Sequence, residues 1–135
     1  MRWLAVFLLL AVWAAAAQTA YTPKFPGDPA HSNAEAAALG YMRTVLSAQR
    51  EYRKKHGGYA TSLAALVHSG SFTKRMTNTD RGDYTVHFGG TKDGFSLGLI
   101  PKRFDAEHRA FYSDESGKIR VEQEKPATAQ SEILK

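Results

Sequence analysis

The sequence predicts an α+β domain in which one long N-terminal helix and a short helix pack on a four-stranded antiparallel sheet. Apolar residues recur at three- and four-residue steps over Asn33–His56, which is the helical period. Further along the chain, four short β-type segments are separated by turn residues. A long helix laid on a short sheet is the economical way to bury both apolar faces. The 135 residues include no cysteine, so this domain must be held together by its core rather than by disulfides.

The first residues predict an export signal. Arg2 precedes the apolar run Trp3–Val12, and a stretch of alanines follows, which is the layout of a secretory signal peptide over residues 1–17. Ala15 and Ala17 fit the small-residue cleavage rule, so we expect a cut before Gln18. The alternative is an uncleaved membrane anchor, but the run is shorter than the ~20 apolar residues of a spanning helix. We therefore expect a periplasmic or secreted protein with no stable membrane span after cleavage.

The long helix has a predicted beginning and end. Residues 18–31 hold three prolines and predict an extended linker: Pro23, Pro26 and Pro29. Ser32 and Glu35 match a capping box at the start of the helix, and Gly57 supplies a left-handed stop after His56. The apolar stripe predicts a buried face made of Leu39, Met42, Val45, Leu46, Ala48, Gln49 and Tyr52.

The remaining elements are short. Leu63–His68 predicts the second helix, with Gly70 at its end, and the polar residues 71–82 predict a loop. Alternation and turn residues then predict four strands, at Asp83–Phe88, Phe95–Ile100, Ala110–Ser113 and Lys118–Glu122. Residues 32–124 form the predicted domain, and residues 125–135 form a flexible tail.

The residues that carry chemistry predict no catalytic site, no metal and no cofactor. None of the five histidines pairs at a metal-ligand spacing, and no nucleophile motif is present. Gly89-Gly90 with Gly94 joins two strands and opens no helix, so it predicts a hairpin rather than a phosphate loop. A triad assembled only by the fold is left open by the sequence.

The sequence predicts a candidate basic binding face near the end of the long helix. The chain carries a formal net charge of +5, and Arg50, Arg53, Lys54 and Lys55 fall within two turns. Such a face fits DNA or an anionic polymer, although the ordinary interpretation is a solvated helix surface.

Three segments resemble type IV pilins and type II secretion pseudopilins. Arg43–Leu66 is similar to the end of a pilin α1 helix, with a Gly-x-Tyr turn and a Ser-Leu-x-x-Leu helix. Phe111–Arg120 is similar to a closing hairpin of the Asp-x-Ser-Gly type, and Gly82–Tyr84 fits the first strand. The resemblance covers roughly Ala34–Ile133. It implies a non-enzymatic interaction module whose partners are pilus or secretion components.

The chain departs from the pilin pattern at its N-terminus. No glycine occurs before Gly27, no acidic residue lies in the apolar run, and three prolines separate that run from the helix. The resemblance therefore implies a pilin-like headpiece without the filament-forming half of the helix. The alternative function is a periplasmic or secreted protein that binds DNA or an anionic polymer through its mildly basic surface.

Overall fold

The computed structural model describes residues 20–135, which form one α-helix laid against one antiparallel sheet. Helix α1 spans Asn33–His56, and two 3-10 turns follow at Ala64–Leu66 and Lys74–Thr77. The strands are β1 (Asp80–Arg81), β2 (Tyr84–Thr91), β3 (Gly94–Pro101), β4 (Ala110–Asp114), β5 (Arg120–Glu122) and β6 (Glu132–Ile133). They lie in the sheet in sequence order, and every neighbouring pair is antiparallel.

The predicted four-stranded sheet with two helices is wrong. The sheet has six strands, and the predicted second helix, Leu63–His68, is a single 3-10 turn. The two added strands, β1 and β6, contain two residues each, which is too short to show an alternating pattern. Strand β6 falls within residues 125–135, where we expected a flexible tail; it pairs with β5.

The central hairpin is longer than the sequence predicts. The predicted loop Gly89–Gly94 shrinks to Lys92 and Asp93, because β2 continues through both glycines and pairs Thr91 with Gly94. At Gly90 an added Cβ would lie 2.9 Å from the Phe95 Cβ, so the close approach of the two strands requires glycine there. Glycine therefore extends this hairpin instead of ending its strands.

The bounds of α1 agree with the prediction, because both ends are set by local capping. The Ser32 hydroxyl accepts a hydrogen bond from the Glu35 amide at 3.1 Å. Gly57 has φ +77°, and its N–H donates to the Arg53 carbonyl at 2.8 Å. The Glu35 carboxylate reaches back as expected, but its partner is the His31 N–H, at 2.9 Å.

The core lies between α1 and one face of the sheet. The predicted stripe of α1 is buried except for Tyr52, which is partly exposed, and it meets Val86, Leu97, Leu99 and Phe111 of the sheet. Gln49 is also fully buried: its amide group donates to the Ala60 carbonyl at 3.0 Å and accepts from the Ala60 N–H at 2.9 Å. The polar residue of the stripe thus fastens the segment that follows the helix.

The export predictions fall mostly on residues that the structure does not describe. The signal peptide at residues 1–17 and its cleavage residues Ala15, Ala17 and Gln18 lie outside residues 20–135. Between those two bounds, no helix combines the length and the hydropathy that a bilayer span requires.

Candidate functional site

The predicted basic face is only partly assembled. Arg50, Arg53 and Lys54 line one surface depression of about 360 Å³ together with Tyr59, whereas Lys55 lines a different one. The Arg53 guanidinium lies 4.9 Å from the centre of the Tyr59 ring and donates to its hydroxyl at 2.9 Å. Lys54 is 3.4 Å from a Glu51 carboxylate oxygen, which reduces the positive charge of this surface.

A histidine bridges two carboxylates beside the first strand. His108 Nδ1 lies 2.8 Å from Asp105 Oδ1, and His108 Nε2 lies 3.0 Å from Asp83 Oδ2. Partial burial alone would lower the pKa of this imidazole, but the hydrogen bonds and charges of the two aspartates raise it above the usual value. The arrangement ties the loop before β4 to the β1–β2 turn.

A buried ion pair joins the start of α1 to the start of β4. Glu35 is fully buried, and its Oε1 lies 2.8 Å from Arg109 Nη2. The same nitrogen donates to the Pro29 carbonyl at 2.9 Å, and the Arg109 N–H donates to Glu35 Oε2 at 2.9 Å. Burial would raise the pKa of the Glu35 carboxyl, but hydrogen bonds from Arg109 and from the His31 N–H hold it below its usual value.

These two polar clusters fasten loops, and both ring nitrogens of His108 are engaged by aspartates. The deepest charged group, Glu35, is occupied by protein donors. Across residues 20–135, every buried side-chain nitrogen and oxygen has a hydrogen-bond partner, and no group of three or more His, Asp or Glu residues is placed to hold a metal ion.

The backbone of β2 has one open side. The N–H of Lys102 donates to the carbonyl of Asp83 across the β2–β3 ladder, so the odd-numbered residues of β2 point their backbone groups at β3. The even-numbered residues therefore point the other way. On that side the Val86 N–H donates to the Thr79 carbonyl at 2.8 Å. Just after the strand, the Lys92 carbonyl accepts from the Tyr59 N–H at 2.9 Å.

Between those two bonds the edge of the sheet is bare. β1 pairs only with Tyr84 and Thr85, so it stops before the middle of β2. Within residues 20–135, no hydrogen bond engages the Phe88 and Gly90 N–H groups, or the carbonyls of Val86, Phe88 and Gly90, on this side. We call this set of five backbone groups the open edge.

A shallow groove of about 680 Å³ lies beside Val86–Gly89 of β2, along part of the open edge. One wall comes from the segment around the first 3-10 turn and the other from the residues before β1. We call it the edge groove, lined by Thr61, Ser62, Leu63, Ala64, Thr77, Thr79, Val86, His87, Phe88, Gly89 and Ser96. Its lining contains no Lys, Arg, Asp or Glu, in a chain of which 23% is charged. It is the candidate functional site, because it combines an uncharged lining with backbone groups that lack partners.

The sequence alone does not predict this site. Its residues belong to separate predicted elements, and the predicted six-residue hairpin loop ends β2 before Gly89 and Gly90, whereas the strand runs through both glycines. The length of β2 relative to its neighbours decides whether an edge is open, and a two-residue strand such as β1 leaves no periodic signal.

Comparison of the chain with protein-family models, with curated proteins and with solved structures finds no match.

Proposed function

We propose that this chain is an exported, non-enzymatic domain that acts by binding another protein, and that it is associated with a type IV pilus or a type II secretion system. The single observation that carries the binding role is the open edge of β2. A bare strand edge is a template for pairing with another chain, and stable domains ordinarily cover or blunt such edges.

Two common protections of an edge strand, lysine and proline, are absent from the open edge. Residues 87–91 (His-Phe-Gly-Gly-Thr) include no lysine and no proline, which are the residues that usually guard an edge strand. The opposite edge is guarded by its shortness, since β6 has two residues, one of them Glu132. An edge left open at one side only is consistent with a binding role at that side.

The association with a pilus or secretion machine rests on the resemblance of Arg43–Leu66 and Phe111–Arg120 to pilins and pseudopilins. Such a partner lies in the envelope, where the predicted signal peptide would deliver this chain. The non-enzymatic part of the proposal rests on the sequence, which holds no catalytic motif.

Site-specific photo-crosslinking in cells tests the proposal. A photoreactive residue at Thr61, which is exposed and lines the edge groove, should form adducts with pilus or secretion components that mass spectrometry identifies. The matched control is Gln123, which is exposed and follows β5, three strands away from β2. Equal adducts at both positions, or none at either, would contradict a binding role for the edge groove.

One observation favours a second candidate, the binding of DNA or another anionic polymer. Three of the four predicted basic residues share a depression with Tyr59, whose aromatic ring lies against the Arg53 guanidinium. The double variant Arg50→Ala/Arg53→Ala should then elute from heparin at lower salt than Lys118→Ala/Lys135→Ala, which loses the same charge at other exposed positions. Elution of the two variants at the same salt concentration would show that heparin binding depends on net charge alone and not on this depression.

A further inference from the structure

We propose that the edge groove binds an uncharged, extended peptide segment of the partner protein, which adds to the sheet as a strand beside β2. This inference rests on the proposed function and names the chemistry of the partner. An extended backbone is the group that matches the open edge, since it carries donors and acceptors in the same alternation as an antiparallel neighbour.

The length of the open edge sets the length of the segment. On this side of β2, the protein's own backbone bonds end at Val86 and resume at Lys92, just after the strand. This span of six residue steps corresponds to about 20 Å of extended chain. A segment of about five or six residues can therefore pair here, continuing the short β1–β2 ladder along the same edge.

The flanks of the groove favour a single strand over a second copy of this domain. Thr79 forms a backbone bond to Val86 of β2, and Tyr59 forms one to Lys92, the residue after β2, so the chain itself closes both ends of the open edge. If two copies approached edge to edge, the flanking segments at Thr79 and Tyr59 of each copy would collide with those of the other. A peptide segment is narrow enough to lie between them.

The lining indicates which side chains the segment carries. On the side of the sheet that faces the core, the groove offers Leu63, Val86 and Phe88, so residues pointing there should be small and apolar. On the other side it offers His87 and Ser96, which suit uncharged polar residues. Lysine, arginine or acidic side chains would find no opposite charge in the lining, and their desolvation would oppose binding.

A seven-residue peptide display library, selected against the exported chain, supplies the probes. We expect enriched peptides in which small apolar residues alternate with uncharged polar ones. A synthetic copy of one enriched peptide should then lose at least about tenfold in affinity when the amides that face β2 are N-methylated, because methylation removes those donors. N-methylation of the intervening amides should have a smaller effect.

A pair of matched variants locates the site. Ala64 and Ala65 are exposed neighbours in the same 3-10 turn, but only Ala64 lines the edge groove. Ala64→Trp should lower peptide affinity by at least about tenfold, whereas Ala65→Trp should change it less than about twofold. The N-methylated peptides test the same inference on the unaltered protein, so a variant that fails to fold leaves the test intact.

Three outcomes would overturn strand addition: enriched peptides rich in charge, binding that is insensitive to N-methylation, or a dimer in sedimentation that Ala64→Trp dissolves. If any of these occurs while crosslinks from Thr61 still identify an envelope partner, the proposed function stands and only this inference fails. If no peptide is enriched and Thr61 forms no crosslinks, both the proposed function and this inference fail.

Discussion

The guanidinium of Arg109 and the carboxylate of Glu35 meet inside the domain, with Nη2 and Oε1 2.8 Å apart and a sequence separation of 74 residues. The pair connects the capped first turn of α1 to the entrance of β4. Arg109 also holds the Pro29 carbonyl, so the proline-rich segment, the helix and the sheet converge on one side chain.

Arg109→Ala should destabilise the domain by about 3–5 kcal/mol, because it leaves the Glu35 carboxylate buried without its partner. In a domain of this size the melting temperature should fall by roughly 10 °C or more. Thermal unfolding followed by circular dichroism measures the effect. Arg103→Ala, which removes an exposed arginine from the same loop, serves as the control and should change little. An equal fall in melting temperature in both variants would show that the Glu35–Arg109 ion pair does not contribute specifically to stability.

Leu46→Ala tests whether the stripe of α1 carries the core. Leu46 is 6% exposed, and truncating a buried leucine typically costs about 2–5 kcal/mol through lost burial and the cavity that remains. Urea unfolding should show the lower stability, with Lys55→Ala at an exposed position of the same helix near the wild-type value. An unchanged urea midpoint for Leu46→Ala would indicate that this face of the helix is exposed to solvent and not part of the core.

The stability of the domain should decline as the pH rises above about 6.5, through the loss of charge at His108. The two aspartates raise the folded-state pKa of His108, so its contribution is complete below about 6.5, the ordinary value, and is lost as the pH passes the raised value. Melting temperatures measured between pH 5.5 and 9 should fall in the wild type and fall less in His108→Asn.

The control for the pH profile is His87→Asn, which removes an exposed histidine from the outer face of β2. This variant should keep the wild-type slope. A slope that His108→Asn leaves unchanged would mean that Asp83 and Asp105 do not stabilise the charged imidazole.

We predict that signal cleavage leaves Gln18 as the first residue, since Ala15 and Ala17 fit the cleavage rule. N-terminal sequencing of the protein from envelope fractions decides this. Recovery of an intact Met1 terminus in the membrane pellet would show that the apolar run is retained as an anchor.

The parts of the fold that the sequence predicts well depend on local chemistry. Ser32 and Gly57 set the two ends of α1 through bonds to residues three or four positions away, and the helical period selects Leu39, Met42 and Val45 for the core. Propensity and spacing contain this information, so the bounds of the helix and most of its buried face follow from the chain alone.

The parts that the sequence misses depend on distant residues. Glu35 looks like a capping residue, and nothing near it indicates that Arg109 will bury it. β6 forms because Arg120 donates to the Ser131 carbonyl and the Leu134 N–H donates to Ile119, contacts that only the folded sheet creates. The open edge likewise arises because β1 is much shorter than β2.

The most direct test of the open edge is amide hydrogen exchange along β2, measured by NMR on the purified protein. Because the backbone groups of even-numbered residues point away from β3 and those of odd-numbered residues point toward it, the Phe88 and Gly90 amides should exchange rapidly while those of His87 and Gly89 stay protected. Binding of an enriched peptide should slow Phe88 and Gly90 at least about tenfold and leave their neighbours nearly unchanged. Protection of all four amides in the free protein, or rapid exchange at Phe88 and Gly90 in the complex, would contradict an open edge that receives a partner strand.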